Sequence, residues 1–243
     1  MERLIWHGFT GWEQQPDQRT ERKEVLWMIG KEQSLLTGEV YDWVASMECA
    51  RIGEEPHHIY FDNGSRRGAV SFYEGYIIEL SVEDEETGET PFYIHFAIRD
   101  VKETKDRVRL FFRSLEGEMV GQERIDLSTV RTLCLTRILV SCSCGITSSY
   151  FALLMQQAAD RAGLRAEVRA VGLEALDQLE EQYDQILLAP QVGYMLTSCR
   201  ERYGDKVQAI DIADFASRNV EHVLWQAVQR AHGASCPSMR PLY

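Results

Sequence analysis

The stretch "RILVSCSCGITSSYFALLMQQAA" occupies residues Arg137–Ala159. It opens as an apolar strand (Ile138–Ser141), breaks into small and hydroxyl residues, and resumes with helical periodicity. From Thr147 onward Phe151, Leu154, Met155, Ala158 and Ala162 recur every three or four residues, and Gly163 follows where a helix would stop. A strand, a short loop and a helix make half of a βαβ unit. The chain repeats that unit downstream. "RAEVRAV" (Arg165–Val171) alternates, Leu173, Leu176 and Leu179 mark a helix, and "QILLAP" (Gln185–Pro190) reads as a buried strand. A helix from about Val192 to Arg202, a strand at Val207–Ile210 and a helix carrying Val220, Val223, Leu224, Ala227, Val228 and Ala231 on one face complete the series. The pattern predicts an α/β fold, with a C-terminal four-stranded parallel sheet and flanking helices. The tail "HGASCPSMRPLY" reads as loose.

In such sheets ligands gather beyond the carboxyl ends of the strands, where helix amino termini present free N–H groups to anions. The first strand-to-helix loop here is "CSCGITSS". Gly145 tolerates unusual backbone angles, Thr147, Ser148 and Ser149 add hydroxyl groups, and the small residues let the backbone curl around an anion. A cysteine at a helix amino terminus is favoured as thiolate, the nucleophilic form, so Cys142 is the candidate to attack a phosphoryl group. Phosphotyrosine phosphatases carry an arginine six positions beyond such a cysteine, where its planar fork stabilises the transferring phosphoryl group. That position here is Ser148. A loop of N–H and hydroxyl groups without a cation holds a phosphocysteine while doing little to hasten its hydrolysis, which suits a carrier.

The residues "ILVSCSCGITSSYFALLMQQAADRAGL" resemble the lactose/cellobiose (chitobiose) type enzyme IIB of the bacterial sugar phosphotransferase system. A second stretch, "YDQILLAPQVGYML" (Tyr183–Leu196), is similar to that family's strand, its Gly-Pro-Gln segment and the helix after it, with Ala189 in place of the glycine. The resemblance covers roughly residues 137–231 and implies a set of roles. Cys142 would take phosphate from a phosphohistidine of enzyme IIA and pass it to a sugar bound in the membrane enzyme IIC. Ser143, Cys144, Gly145, Ile146, Thr147, Ser148 and Ser149 would form the phosphate-binding loop, with Pro190, Gln191 and Tyr194 in the neighbouring loop. The chain would be a protein-phosphohistidine–sugar phosphotransferase component, touching a membrane protein only peripherally. Cys144 is a departure, because the family usually has a small residue such as alanine there. It reads as a small filler in preference to a redox partner.

Composition narrows the alternatives. The net charge is −12, and it is uneven: residues 1–136 hold 16 Lys/Arg against 26 Asp/Glu, whereas residues 137–243 hold 10 against 12. Such a surface repels phosphate backbones, so nucleic acid is not an expected partner. The beginning of the chain shows no basic stretch followed by an apolar one, and no run of eighteen apolar residues occurs, so a cytoplasmic protein is expected. Cysteines at 49, 134, 142, 144, 199 and 236 do not form a disulfide framework and read as reduced thiols. Cys134, Cys199, His222 and His232 stand at no ligand spacing to Cys142 and Cys144, so neither a metal nor any other cofactor is expected.

Four of the five tryptophans (Trp6, Trp12, Trp27, Trp43) precede residue 137, a shift that supports a boundary within residues 117–136. The expected division is an uncharacterised acidic domain over residues 1–130 and an enzyme IIB-like phosphocysteine domain over residues 131–243. The first reads as α+β with an antiparallel sheet. A strand is expected at Leu4–Phe9, then helical segments with Val25, Leu26 and Ile29 and with Val40, Val44 and Met47, interrupted near Gly30 and Gly38. "YIIELSV" (Tyr76–Val82) and "PFYIHFAIRD" (Pro91–Asp100) alternate around the acidic turn "EDEETGET", and "RVRLFFRS" (Arg107–Ser114) is read as a further strand. His57, His58 and His95 have no phosphohistidine motif around them and read as structural. The fused domain leaves two functional classes open, a working phosphocarrier or a regulatory module whose Cys142 phosphorylation is read by the N-terminal domain or a protein partner.

Overall fold

The computed structural model describes residues 34–53, 57–121, 123–130, 134–143 and 146–232. Leu4–Phe9, the segment from Val25 to Gly30, Cys144, Gly145 and the tail after His232 lie outside the described residues.

Residues 34–45 are helical (α1), and Val40 and Val44, one turn apart, are fully buried. The expected interruption at Gly38 does not occur. One interior glycine costs a helix about 1 kcal/mol, which the buried valine pair offsets. Five strands follow as an antiparallel sheet in sequential order: β1 (Arg51–Ile52), β2 (His58–Asp62), β3 (Arg66–Tyr73), β4 (Ile77–Asp84) and β5 (Phe92–Ala97). Strict alternation explains the buried face, with Ile78, Leu80 and Val82 on β4 and Phe92, Ile94 and Phe96 on β5 pointing one way. The acidic segment between β4 and β5 is a hairpin turn, as its composition predicts, closed where the Asp84 N–H donates to the Glu89 carbonyl at 2.9 Å.

The stretch Arg107–Ser114 is a helix and not a strand, which corrects the sequence reading. It belongs to α2 (Val101–Leu115), capped by the Asp100 side chain accepting from the Glu103 N–H at 2.7 Å. The short window Arg-Val-Arg-Leu mimics a two-residue period, but the longer set Thr104, Val108, Phe111 and Leu115 has a helical one, and these residues are buried against the sheet. Phe111 stands edge-on to Phe61 and Phe92, with ring centres 6.0 and 6.4 Å apart. Gly68 on β3 makes room for that ring, since a Cβ there would lie 2.5 Å from Phe111 Cζ.

The second part follows the predicted α/β order. Strands β6 (Thr136–Cys142), β7 (Ala166–Gly172), β8 (Gln185–Leu188) and β9 (Val207–Ala209) form a parallel sheet in the order β7-β6-β8-β9. Helix α3 (Ile146–Ala162) ends at Gly163, whose φ of +67° is the left-handed conformation a helix stop uses. Helices α4 (Leu176–Leu179), α5 (Leu196–Tyr203), α6 (Ile212–Ala216) and α7 (Val220–His232) complete it; α6, capped by the Asp211 side chain, is an addition to the expected series. The expected helix from Val192 is in two parts, a 3₁₀ segment at Pro190–Met195 leading into α5. Leu139, Ile186 and Leu188 face one layer, with Leu176 and Cys199, while Ile138, Val140 and Cys142 face the other, with Met155 and Leu224. That second layer is continuous with the core of the antiparallel sheet, joining Phe96, Phe111 and Ile98 to Ile138, Phe215 and Val228 in one apolar cluster.

The connection between the sheets is anchored by close approach. Gly121 has φ +98°, and a Cβ there would stand 2.9 Å from Asp214 Oδ1. Asp214 is fully buried, accepting from Asn219 Nδ2 at 3.0 Å and lying 2.6 Å from His222 Nδ1. Among the described residues no helix is long and apolar enough to cross a membrane.

Candidate functional site

The two central strands of the parallel sheet, β6 and β8, end side by side. The Ala189 N–H donates to the Ser141 carbonyl at 2.8 Å, so the loop after β6 and the segment after β8 emerge together at the carboxyl edge. Cys142 is the last residue of β6, and α3 starts four residues later. Its side chain is 1% exposed, on the α3 and α7 side of the sheet, and its Sγ donates to Ser148 Oγ at 3.2 Å. Ser148, in the first turn of α3, is itself fully buried. The position that would carry arginine in a phosphatase loop is therefore occupied by a hydroxyl in direct contact with the thiol. When the sulfur is ionised, the same hydroxyl can reverse and donate to it.

Of the other residues singled out in sequence, Ser143 and Ser149 are exposed at the loop. Ile146 and Thr147 open α3, and Cys144 and Gly145 lie outside the described residues. Pro190 is buried at the start of the 3₁₀ segment, and Gln191 follows it. Both the Nε2 and Oε1 of Gln191 are buried without a hydrogen-bond partner, as is Ser141 Oγ one residue before the cysteine. Tyr194 is 56% exposed, and the guanidinium of Arg99 lies 4.0 Å over its ring centre.

Residues 137–226 match the family described as the lactose/cellobiose-specific IIB subunit of the PTS system. This IIB-type segment begins at the second residue of β6 and ends within α7, so it takes in the parallel sheet, Cys142 and Gln191. Among curated proteins, the oligo-beta-mannoside-specific EIIB component of Bacillus subtilis (strain 168) is 25% identical over 95 residues, 38% of this chain and 92% of that protein. Among solved structures, the cellobiose-specific phosphotransferase IIB component protein from Borrelia burgdorferi is 23% identical. That alignment covers 42% of this chain and 95% of that one, with a TM-score of 0.37. The antiparallel sheet and α2 lie outside the IIB-type segment.

Arg99 and Arg107 are the residues near this edge that the sequence reading did not single out. Together with Phe96, Arg107 and Leu110 from the antiparallel unit, Pro190, Gln191, Gly193 and Tyr194 line a cavity of about 380 Å³. Arg107 stacks on Phe96, 4.1 Å from the ring centre, and pairs with Glu103 one turn earlier. Burial pulls its guanidinium below its ordinary range, with Glu103 opposing that shift. No local sequence signal marks either arginine, because each lies more than eighty positions before Gln191. The three histidines considered in sequence are elsewhere: the His57 carbonyl accepts from the Phe72 N–H at 2.9 Å, His58 Nδ1 is 2.8 Å from Ser71 Oγ, and His95 sits on β5 opposite Glu79.

Proposed function

We propose that the chain is a phosphocarrier of the sugar phosphotransferase system with Cys142 as the phosphoacceptor, built from an acidic α+β unit over residues 1–130 and an enzyme IIB-like phosphocysteine unit over residues 131–243. The observation that carries this reading is the thiol of Cys142 at the end of the central strand, in contact with Ser148 at the head of α3.

In the uptake step the Cys142 thiolate attacks phosphorus on a phosphohistidine of an enzyme IIA. The S–P bond forms as the P–N bond breaks, and the imidazole leaves with a proton from solvent. In the delivery step a sugar hydroxyl held by an enzyme IIC attacks the same phosphorus. The S–P bond breaks, the thiolate leaves, and the hydroxyl proton passes to a base on the acceptor side. Ser143, Cys144, Gly145, Ile146, Thr147, Ser148 and Ser149 cradle the phosphoryl oxygens, with the amino terminus of α3 supplying positive potential. Ser148 stabilises the thiolate in both steps. Gln191 and Tyr194 border the phosphoryl group from the neighbouring loop, beside buried Pro190. Tyr150 and Leu153, on the outer face of α3, are 54% and 52% exposed and fit a protein docking surface next to the cysteine. No metal or other cofactor enters either step, and the carrier works in the cytoplasm.

A sensory role is the second reading, favoured by the contact of the antiparallel unit with the loop after β8 through Arg99 and Tyr194. One experiment tests the chemistry common to both. The protein is incubated with the general phosphotransferase proteins, candidate enzymes IIA and phosphoenolpyruvate, and the modified residue is located by mass spectrometry under conditions that preserve thiophosphate. Phosphate on Cys142, lost in Cys142→Ala and kept in Cys144→Ala, is the expected result. No transfer from any donor to a normally folded protein overturns it.

A further inference from the structure

Two exposed tyrosines stand in the segments that flank Cys142, and each carries an arginine on its ring. Tyr194, in the segment after β8, is 56% exposed, with the Arg99 guanidinium 4.0 Å from its ring centre. Tyr150, near the head of α3, is 54% exposed, with the Arg218 guanidinium 5.8 Å from its ring centre. The arginines come from separate parts of the chain, Arg99 just after β5 in the antiparallel unit and Arg218 between α6 and α7. Strand β5 also reaches towards Arg218 at its other end. There the Tyr93 hydroxyl, which donates to Glu79 at 2.8 Å, is pushed up to about 12 by burial and then by Glu79, and the charge of Arg218 opposes that rise.

Neither arginine forms an ion pair among the described residues. The acids that follow or flank them in sequence are committed elsewhere. Asp100 caps α2, Glu103 pairs with Arg107, and Asp106 pairs with Arg109. Asp211 caps α6, Asp214 is held by Asn219 and His222, and Glu221 is shared between Arg124 and Arg161. Both guanidiniums therefore keep an uncompensated positive charge, in a chain whose net charge is −12. Tyrosine and arginine are the side chains that most often anchor protein interfaces, and Leu153, 52% exposed one turn along α3, adds apolar area beside them.

We propose that Arg99 and Arg218, with the exposed tyrosines beneath them, anchor an acidic face of the phosphodonor protein over Cys142. The inference rests on the carrier reading above and specifies the chemistry of one of its partners. Charge selects the donor over the acceptor. Cytoplasmic loops of membrane proteins carry an excess of Lys and Arg, which unpaired guanidiniums repel. Carboxylates around a phosphohistidine, and the phosphoryl group itself, attract them. Because Arg99 lies outside the IIB-type segment, the antiparallel unit takes part in choosing the donor.

Steady-state phosphorylation of the full chain by phosphorylated enzyme IIA, at varied donor concentration, separates docking from chemistry. Arg99→Ala/Arg218→Ala should raise the KM for the donor roughly tenfold, and each single variant roughly threefold, with kcat changed by less than about twofold. Added salt should raise the wild-type KM steeply and leave that of the double variant nearly flat. Arg99→Lys/Arg218→Lys keeps the charges and should keep the salt dependence, which loss of a ring contact alone would not affect. Circular dichroism checks that the variants fold. Delivery of phosphate to sugar in membrane vesicles containing enzyme IIC should be unchanged. An unchanged KM, a fall in kcat alone, or a defect in delivery in place of uptake overturns this inference and leaves the carrier standing. No phosphorylation of the wild-type chain by any donor overturns the carrier reading and this inference with it.

Discussion

Cys142 Sγ donates a hydrogen bond to Ser148 Oγ at 3.2 Å, across the six-residue interval at which a phosphatase loop would place its arginine. A hydroxyl there can serve thiol, thiolate and thiophosphate in turn by rotating, without bringing the fixed positive charge that speeds hydrolysis. The contact therefore separates holding a phosphoryl group from releasing it to water.

Ser148→Ala should slow phosphate uptake by Cys142 roughly tenfold, the equivalent of about 1.5 kcal/mol for a lost hydrogen bond to a charged group. Rapid-quench mass spectrometry with a limiting phosphodonor measures it. An unchanged rate would mean that Ser148 only fills space beneath the loop.

Gly68→Ala should destabilise the protein by about 1–3 kcal/mol through overpacking. The added Cβ would stand 2.5 Å from the Phe111 ring, which is fully buried between β3 and its neighbours and has no direction in which to yield. Urea unfolding gives the value, and restoration of stability in the double variant Gly68→Ala/Phe111→Leu would identify the clash as the cause.

His222→Ala should cost about 3 kcal/mol, because it strips a buried carboxyl of a partner. Asp214, fully buried, lies 2.6 Å from the His222 Nδ1 and beside Gly121, so the segment joining the two sheets should loosen as well. Hydrogen exchange around residues 117–121 should rise in the variant. A change confined to α7 would show that the linker is held by other contacts.

Acid should open the β4–β5 turn before it unfolds the sheet. The Thr87 backbone N–H, followed by its hydroxyl, the Glu86 N–H and Arg66, holds the Asp84 carboxyl below its ordinary 3.8, against an opposing desolvation. A depressed carboxylate contributes stability that is complete above that ordinary value and disappears as pH falls through the lowered one. The protection of the Glu86, Thr87 and Gly88 amides, taken relative to their intrinsic exchange rates, should therefore fall below about pH 4, and Asp84→Asn should show the lower protection at neutral pH.

The extent to which these features were legible in sequence varies by element. In residues 137–232 the buried strands and the periods of α3 and α7 could be read, and with them the parallel sheet and the loop at Cys142, whereas the short α6 and the 3₁₀ turns around α4 and before α5 carry too few residues to show a period. Arg107–Ser114 misled because four residues satisfy a two-residue period by accident, and the capping signal at Asp100 lay outside the window. Strands β2 and β3 passed unassigned: β2 alternates, but over only five residues, and in β3 two arginines and Gly68 precede an apolar run that does not alternate.

The sequence by itself determined the α/β order of the second part, the cysteine at the end of its first strand, the hydroxyl six residues later and the match to the IIB family. These are local facts: periodicity, loop composition and spacing survive without any knowledge of what touches what. Only the tertiary structure decided that the thiol meets Ser148, that one core runs through both sheets, and that Arg99 and Arg107 stand beside Gln191 and Tyr194. Such contacts join residues far apart in the chain, and they are chosen by the burial of whole faces against one another, a quantity no local stretch of sequence contains.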